Sequence, residues 1–284
     1  METVVGLAQG AGPLALLIGA FAGLAATEAL WPRRPGPVGR ARRWGANGAL
    51  FLINGYLHAL LAFAAALPMA VLAERAGWGL LQLATVPAWL AVPVAVVGTD
   101  LAFYGRHRLL HAVPALWRLH QVHHDDRAVD ASTGFRFHPL EALLDLLTWS
   151  AVVLALGAPP VAVAVTKLLM ITGNLFQHAN LTLPPGLDRH LRRLVVTPDM
   201  HRVHHSRARA EADSNYGVIF PWWDRLFGSY RAQPSRGHRG MAVGVAGRNR
   251  PAQLALPGLL VAPFRPGLRY RAEEPATGED RLAT

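Results

Sequence analysis

Nine of the thirteen histidines fall in dense clusters beside strongly apolar segments. His107 and His111 stand in HRLLH, and His120, His123 and His124 in HQVHH. His178 stands in FQHAN, and His201, His204 and His205 in HRVHH. Neutral imidazole is the commonest metal ligand among side chains. A helix brings residues three and four apart onto one face, so the histidines of each H-x-x-H-H block can project together. A lone histidine is ordinarily structural or solvated, and His58, His190 and His238 are read that way. Two H-x-x-H-H blocks with an H-x-x-x-H in one chain are a metal-site pattern. Nine imidazoles exceed what one ion binds and fit two ions with partly histidine shells. Ligand type alone leaves iron and zinc open. An iron pair would activate dioxygen at an apolar C–H bond, whereas a zinc pair would favour hydrolysis.

The elements that must position these side chains are apolar. Of 284 residues, 52% are hydrophobic and 16% charged, against about 25% charged in a soluble domain. Mean hydropathy is +0.23. Cysteine is absent, which excludes disulfides and thiolate metal sites and leaves histidine nitrogen or carboxylate oxygen as ligands. The net charge of +10 comes almost wholly from arginine, with Lys167 the single lysine. Basic loops of a membrane protein near anionic lipid explain it, and nucleic acid is not expected as a partner.

Along the chain, residues 12–30 are long enough to cross a bilayer. The Met1-Glu2 start lacks a basic leader, so no cleaved signal peptide is expected. Residues 33–43 form a Pro/Gly loop with five arginines. Further apolar stretches run over 47–73 and from Val86 to Tyr104. Residues 140–156 and 159–177 are either two spans or a shallow re-entrant hairpin. The positive-inside rule puts the arginine loop, both histidine regions and the C-terminus in the cytoplasm and the N-terminus outside. The polar tail from Arg271 to Thr284 is expected to fray.

Asp100 lies seven residues before His107 and eleven before His111, offsets of about −20° and +20° on a helix. The three therefore share a face. A carboxylate in a span needs a partner, and Asp100 is expected to accept a hydrogen bond from His107 or His111. His138, before Pro139, is an outer ligand, a substrate-side group or a helix-entry residue. Asn215, Tyr216 and Gly217 either support the ligands or form a plain turn. Trp222 and Trp223 pack or anchor at the interface, with a wall of a substrate channel as the alternative. Asp224 and Arg225 read as a local ion pair, and Glu141 as a helix cap.

The array HRLLH, HQVHH, QHAN and HRVHH, followed by NYG and WWDRLFGSY, resembles the fatty acid hydroxylase / sterol desaturase superfamily over roughly residues 94–231. The resemblance implies a membrane-bound di-iron oxygenase that hydroxylates or desaturates lipids with dioxygen and two electrons. It implies an all-α fold of about four membrane helices under a cytoplasmic helical cap that holds the metals. By the same resemblance His107, His111, His120, His123, His124, His178, His201, His204 and His205 are the ligands. Many members carry a histidine four residues before the one matched by His178. Here Asn174 stands there, either beside the ligands or leaving its place to an oxygen or water.

The expected organisation is membrane helices over 1–93, a catalytic domain over 94–231 and a C-terminal cytoplasmic tail over 232–284. The expected function is lipid oxidation by an enzyme of a bacterial inner membrane, with two iron ions, or zinc in recombinant material. No haem-binding, flavin or iron–sulfur signature accompanies the histidines, so a separate ferredoxin, cytochrome or reductase is expected to supply electrons. The rivals are a di-metal membrane hydrolase and a non-catalytic metal- or lipid-binding protein. Fatty acyl, sterol-like and aminolipid substrates share an apolar body, and the sequence does not separate them.

Overall fold

The computed structural model describes residues 11–35, 39–248 and 250–265. The polar tail over 271–284 lies outside them. Among the described residues the regular structure is helical apart from two isolated bridges, Pro32 with Leu181 and Ser206 with Val243. Ten helices among the described residues have six residues or more: α1 Ala11–Leu30, α2 Arg40–Leu60, α3 Ala66–Ala76, α4 Ala88–Ala112, α5 Pro114–His124, α6 Pro139–Leu156, α7 Pro160–His178, α8 Pro185–Leu191, α9 Pro198–His204 and α10 Leu256–Val261.

Proline sets where most of them begin. It stands in the first turn of α5 through α10, where its missing N–H costs nothing and its fixed φ suits the helix. The residue before proline is pushed to extended backbone. Val113, at φ −94° and ψ 116°, ends α4 and turns the chain so that α5 folds back on it.

Helices α4, α6 and α7 are long and apolar enough to cross a membrane, and α1 adds a shorter apolar segment over Leu14–Leu30. The 25 residues of α4 extend about 37 Å, more than the roughly 30 Å hydrocarbon core. The surplus turns carry His107 and His111. The packed centre of the bundle is built from small side chains: Ala70 of α3, Ala91 and Ala95 of α4, Val153 of α6, and Ala162 and Val163 of α7. Small residues let helices approach closely where lipid offers no hydrophobic drive for association. The α6–α7 connection meets the Trp78–Gly79 turn backbone to backbone. A Cβ on Gly157 would lie 2.3 Å from the Trp78 carbonyl oxygen, and φ is +64° there and +95° at Gly79.

The apolar stretch over 47–73 is two helices, not one. The chain leaves α2 through a 3-10 turn at Ala62–Ala64 before α3. The Ser150 hydroxyl of α6 donates to the Ala64 carbonyl, which satisfies a backbone group at the break. Helix α2 also begins before the apolar stretch and carries Arg43 and Asn47 into the cap. Arg43 pairs with Asp126 at 2.7 Å and with Asp130. Asn47 accepts from the fully buried Arg136 guanidinium at 3.0 Å and donates to Ser132 at 2.9 Å. Two further arginines of the 33–43 loop are also engaged: Arg33 with Asp199 at 3.0 Å, and Arg40 with the buried Glu28 carboxylate at 3.1 Å. Glu28 in turn accepts from the backbone N–H groups of Ala131 and Asn180, both at 2.8 Å, tying the end of α1 to the cap.

The segment expected as a C-terminal tail is part of the fold through residue 265. Met241 and Val243 pack on Val129, and Leu259 and Ala262 pack on Ala46, Leu50 and Val122. Arg248 forms a fully buried ion pair with Asp125.

Candidate metal centre

All nine expected histidines converge at the junction of the bundle and the cap, and all are buried. They divide into two groups. His107, His111, His120, His124 and His204 form one; His123, His178, His201 and His205 form the other. Within each group the candidate ligand atoms lie within 4.8 Å of one another. The groups touch: the His124 and His205 rings stack with centroids 4.5 Å apart.

Each H-x-x-H-H block is shared between the two groups. In α5 the i and i+4 histidines, His120 and His124, enter the five-histidine group, and His123 between them enters the other. In α9 the pattern is reversed. His201 and His205 enter the four-histidine group and His204 crosses to the first. Residues four apart nearly eclipse on a helix, while i+3 is offset by about 60°. The spacing thus aims each block at two adjacent points.

Partners on the outer ring nitrogen fix the tautomers. A carbonyl oxygen can only accept, so a ring nitrogen bonded to one carries the proton. The Nδ1–H of His107 donates to Tyr216 O at 2.9 Å and that of His204 to Ser214 O at 2.7 Å. Those of His178 and His123 donate to Asn174 O at 2.6 Å and Arg136 O at 3.3 Å. His120 Nδ1 meets the buried Glu141 carboxylate at 2.7 Å, and His111 Nδ1 meets Asp213 at 3.3 Å. The opposite nitrogens are then bare lone pairs, and they face each other. His107 Nε2 is 3.1 Å from His120 Nε2, and His178 Nε2 is 3.0 Å from His123 Nε2. His201 Nε2 also lies 3.0 Å from His178 Nε2, although its Nδ1 has no partner to set the tautomer.

Two lone pairs at that distance repel unless a cation lies between them. Burial first, and then the neighbouring imidazoles, hold His120, His123, His124, His201, His204 and His205 well below the usual imidazole range. A proton is therefore a poor bridge. Nitrogens bound at about 2.0–2.1 Å to a common ion sit roughly 3.0–3.4 Å apart, which these separations match. The buried Nε2 atoms of His124 and His204 have no hydrogen-bond partner, as ligand atoms would not. The residues present fit two metal ions.

The outer positions read from the sequence fare differently. Asp100 is fully buried but bonds no imidazole. Its carboxylate accepts from the backbone N–H of Ile219 at 2.8 Å and Phe220 at 3.2 Å, and from the Trp223 indole at 2.8 Å. It shares a helix face with His107, yet the 219–223 segment packs over that face first. His138 is the helix-entry residue: its Nδ1 accepts from Leu140 N at 3.1 Å at the start of α6. Asn174 orients His178 through its backbone carbonyl, while its side-chain amide donates to Gly134 O at 2.6 Å. Asn215 bonds none of the nine histidines and lies between two residues that do. It adopts φ +52°, and its side chain bonds Met200 O, Arg231 O and Arg231 N at 2.8–2.9 Å. This clamp sits between Ser214 and Tyr216, whose carbonyls hold His204 and His107.

Two acids have other partners than the sequence suggests, and a third, Asp213, escaped the sequence reading. Glu141 holds His120 rather than capping a helix, and Asp213 holds His111. Asp224 does not pair with Arg225. Its buried carboxylate accepts from Tyr216 N, Gly217 N and the Ser229 hydroxyl at 2.7–2.8 Å, and burial raises it to about 6. Arg225 instead donates to Arg192 O and lies over the Tyr230 ring. Trp222 donates to Arg193 O at 2.8 Å, so the indole N–H groups of both tryptophans are bonded within the protein.

Residues 92–229, the segment that supplies all nine of these histidines, match the fatty acid hydroxylase family. The chain belongs to the fatty acid hydroxylase / sterol desaturase superfamily. This member of the superfamily is similar to ornithine lipid hydroxylase OlsE of Rhizobium tropici, with 33% identity over 60% of this chain and 51% of that protein. It is similar to human alkylglycerol monooxygenase, with 32% identity over 49% of this chain and 30% of that protein. The fatty acid hydroxylase vlmA of Lecanicillium sp is 27% identical over 50% of this chain and 42% of its own. The chain spans about half the length of the first of these relatives and about a third of the second. No solved structure matches it. Its three apolar helices and its family make this hydroxylase-family chain an integral membrane protein.

Proposed function

We propose that the chain is a membrane oxygenase that hydroxylates or desaturates a lipid, with one iron ion in each histidine group. The observation that carries this reading is the facing of unprotonated imidazole nitrogens in two touching, buried groups. The relatives named as a lipid hydroxylase and a monooxygenase favour oxygenation over the hydrolysis that a zinc pair would support. When bound, an iron pair supplies the activation of dioxygen needed to oxidise an unactivated C–H bond.

The chain's own residues do the rest. The histidines stay neutral and present lone pairs. The Tyr216, Ser214, Asn174 and Arg136 carbonyls and the Glu141 and Asp213 carboxylates fix ring orientation, as outer partners do at metal sites. The cap closes over the groups and keeps bulk water away, with every ligand imidazole buried. Two electrons per turnover come from a separate donor, a ferredoxin, cytochrome or reductase, and the basic cap suits an acidic carrier. The arginines of the 33–43 loop join the cap that holds the histidines, which supports a site on the cytoplasmic side of a bacterial inner membrane.

The test is oxygen uptake by iron-loaded protein in lipid with a chemical or protein reductant, together with mass analysis of the lipid. Reductant-dependent uptake with a gain of one oxygen or a loss of two hydrogens is expected. Metal-dependent lipid cleavage without oxygen uptake would replace the reading with a hydrolase.

A further inference from the structure

Beside the five-histidine group a cavity of about 660 Å³ opens at the end of α4. Its floor reaches His111 and Tyr216. Leu101, Gly105 and Leu109 line one side at i, i+4 and i+8, a single stripe along the helix, and Phe227 closes the other. Leu101 and Leu109 are 38% and 54% exposed, so the stripe continues onto the apolar outer surface of a membrane-capable helix. Gly105 has no side chain to fill the middle of this stripe, and a Cβ built there meets nothing within 4 Å.

The rim is charged. Arg108 and Arg209 stand there with Asp213. Asp213 is already engaged on both oxygens, by His111 Nδ1 at 3.3 Å and Arg209 Nε at 3.0 Å. Two guanidiniums against one committed carboxylate leave the rim with net positive charge beside an apolar slot. Arg108 is exposed at the mouth, above the Tyr104 ring. A guanidinium fork matches carboxylate and phosphate oxygens.

The structure assigns this cavity to a single-chain amphiphile with an anionic headgroup. The carboxylate or phosphate meets Arg108 at the rim, and the chain lies along Leu101, Gly105 and Leu109 against Phe227. The assignment rests on the oxygenase reading and narrows its substrate class. The lipid enters from the bilayer along the exposed face of α4 and brings its chain past His111.

The test is saturable binding to the metal-loaded full chain in phosphatidylcholine nanodiscs, with empty discs subtracted. The probes are laurate, lauroyl lysophosphatidate and the chain-matched lauryl alcohol. Laurate, lysophosphatidate or both should bind saturably, about ten-fold tighter than the alcohol, as expected for a hydrogen bond to a charged group. The preferred anion identifies the headgroup as carboxylate or phosphate. Arg108→Gln should erase the difference between anion and alcohol. Gly105→Leu, which improves helix propensity, should abolish saturable binding of all probes. Both variants should keep the metal content of the native protein, which shows that they fold. Equal binding of alcohol and anions, no effect of Arg108→Gln, or saturable binding that survives Gly105→Leu would each overturn the assignment. Failure of the oxygenase reading registers separately, as absent oxygen uptake while anion binding persists.

Discussion

Glu141 holds His120. The carboxylate, buried in the first turn of α6, lies 2.7 Å from the imidazole Nδ1 across 21 residues of sequence, and Arg106 stands 3.7 Å from the same oxygen. The bond turns the His120 lone pair toward His107 and so helps to build the five-histidine group. Loss of such an outer partner typically costs about 10–100-fold in metal affinity or activity. Glu141→Ala should fall in that range, and Glu141→Gln, which keeps an accepting oxygen, should lose less. Metal affinity by competition with a chelator reads both. Unchanged affinity in Glu141→Ala would remove Glu141 from the site.

The two groups differ in redundancy, with five histidines in one and four in the other. His123→Ala or His178→Ala leaves three imidazoles, whereas His204→Ala leaves four. The first pair of variants should lose one metal ion per chain and the third should retain more metal, while all three lose activity. Element analysis of the purified variants measures this. Equal loss in all three would mean that the groups bind as one unit.

Asp100 acts on the cap rather than on a ligand. It accepts from Ile219, Phe220 and Trp223. Asp100→Asn presents an amide N–H to one of these donors, at a cost of about 1–3 kcal/mol. Lower thermal stability with both metal ions retained is expected. Loss of metal without loss of stability would restore the idea that Asp100 serves His107 or His111.

Asn215 holds a left-handed backbone and three side-chain hydrogen bonds between the residues that orient His204 and His107. Asn215→Gly keeps the conformation and loses the bonds. Asn215→Ala also meets left-handed strain, a further cost of about 1 kcal/mol. Both should unfold at lower temperature than the native protein, and Ala at lower temperature than Gly. The reverse order would show that strain at residue 215 does not matter.

The nine clustered histidines were legible as candidate ligands because residue type and spacing mark them directly. Their division between two groups was not. Spacing within α5 or α9 gives a direction but not which neighbouring helix supplies the rest of the group. Helix α4 was legible from Val86 to Tyr104, and its polar last turns joined it once the HRLLH spacing was read as helical. The break after Leu60 was hidden, because the stretch is apolar on both sides of it and the serine that accommodates it lies in α6. Glu141 and Asp213 were invisible as partners because they meet His120 and His111 across 21 and 102 residues. Asp100 misled because a helical wheel gives a face, while the 219–223 segment that covers this face is set by the tertiary fold.

The central claim is a pair of metal ions held by nine histidines. Element analysis of the protein purified from iron-replete cells and washed free of loosely bound metal tests it most directly. Two ions per chain are predicted, with iron in the protein that consumes oxygen, although zinc can occupy the same nitrogens in recombinant material. One ion per chain or fewer, in a protein that oxidises lipid at full rate, would contradict the two-ion site.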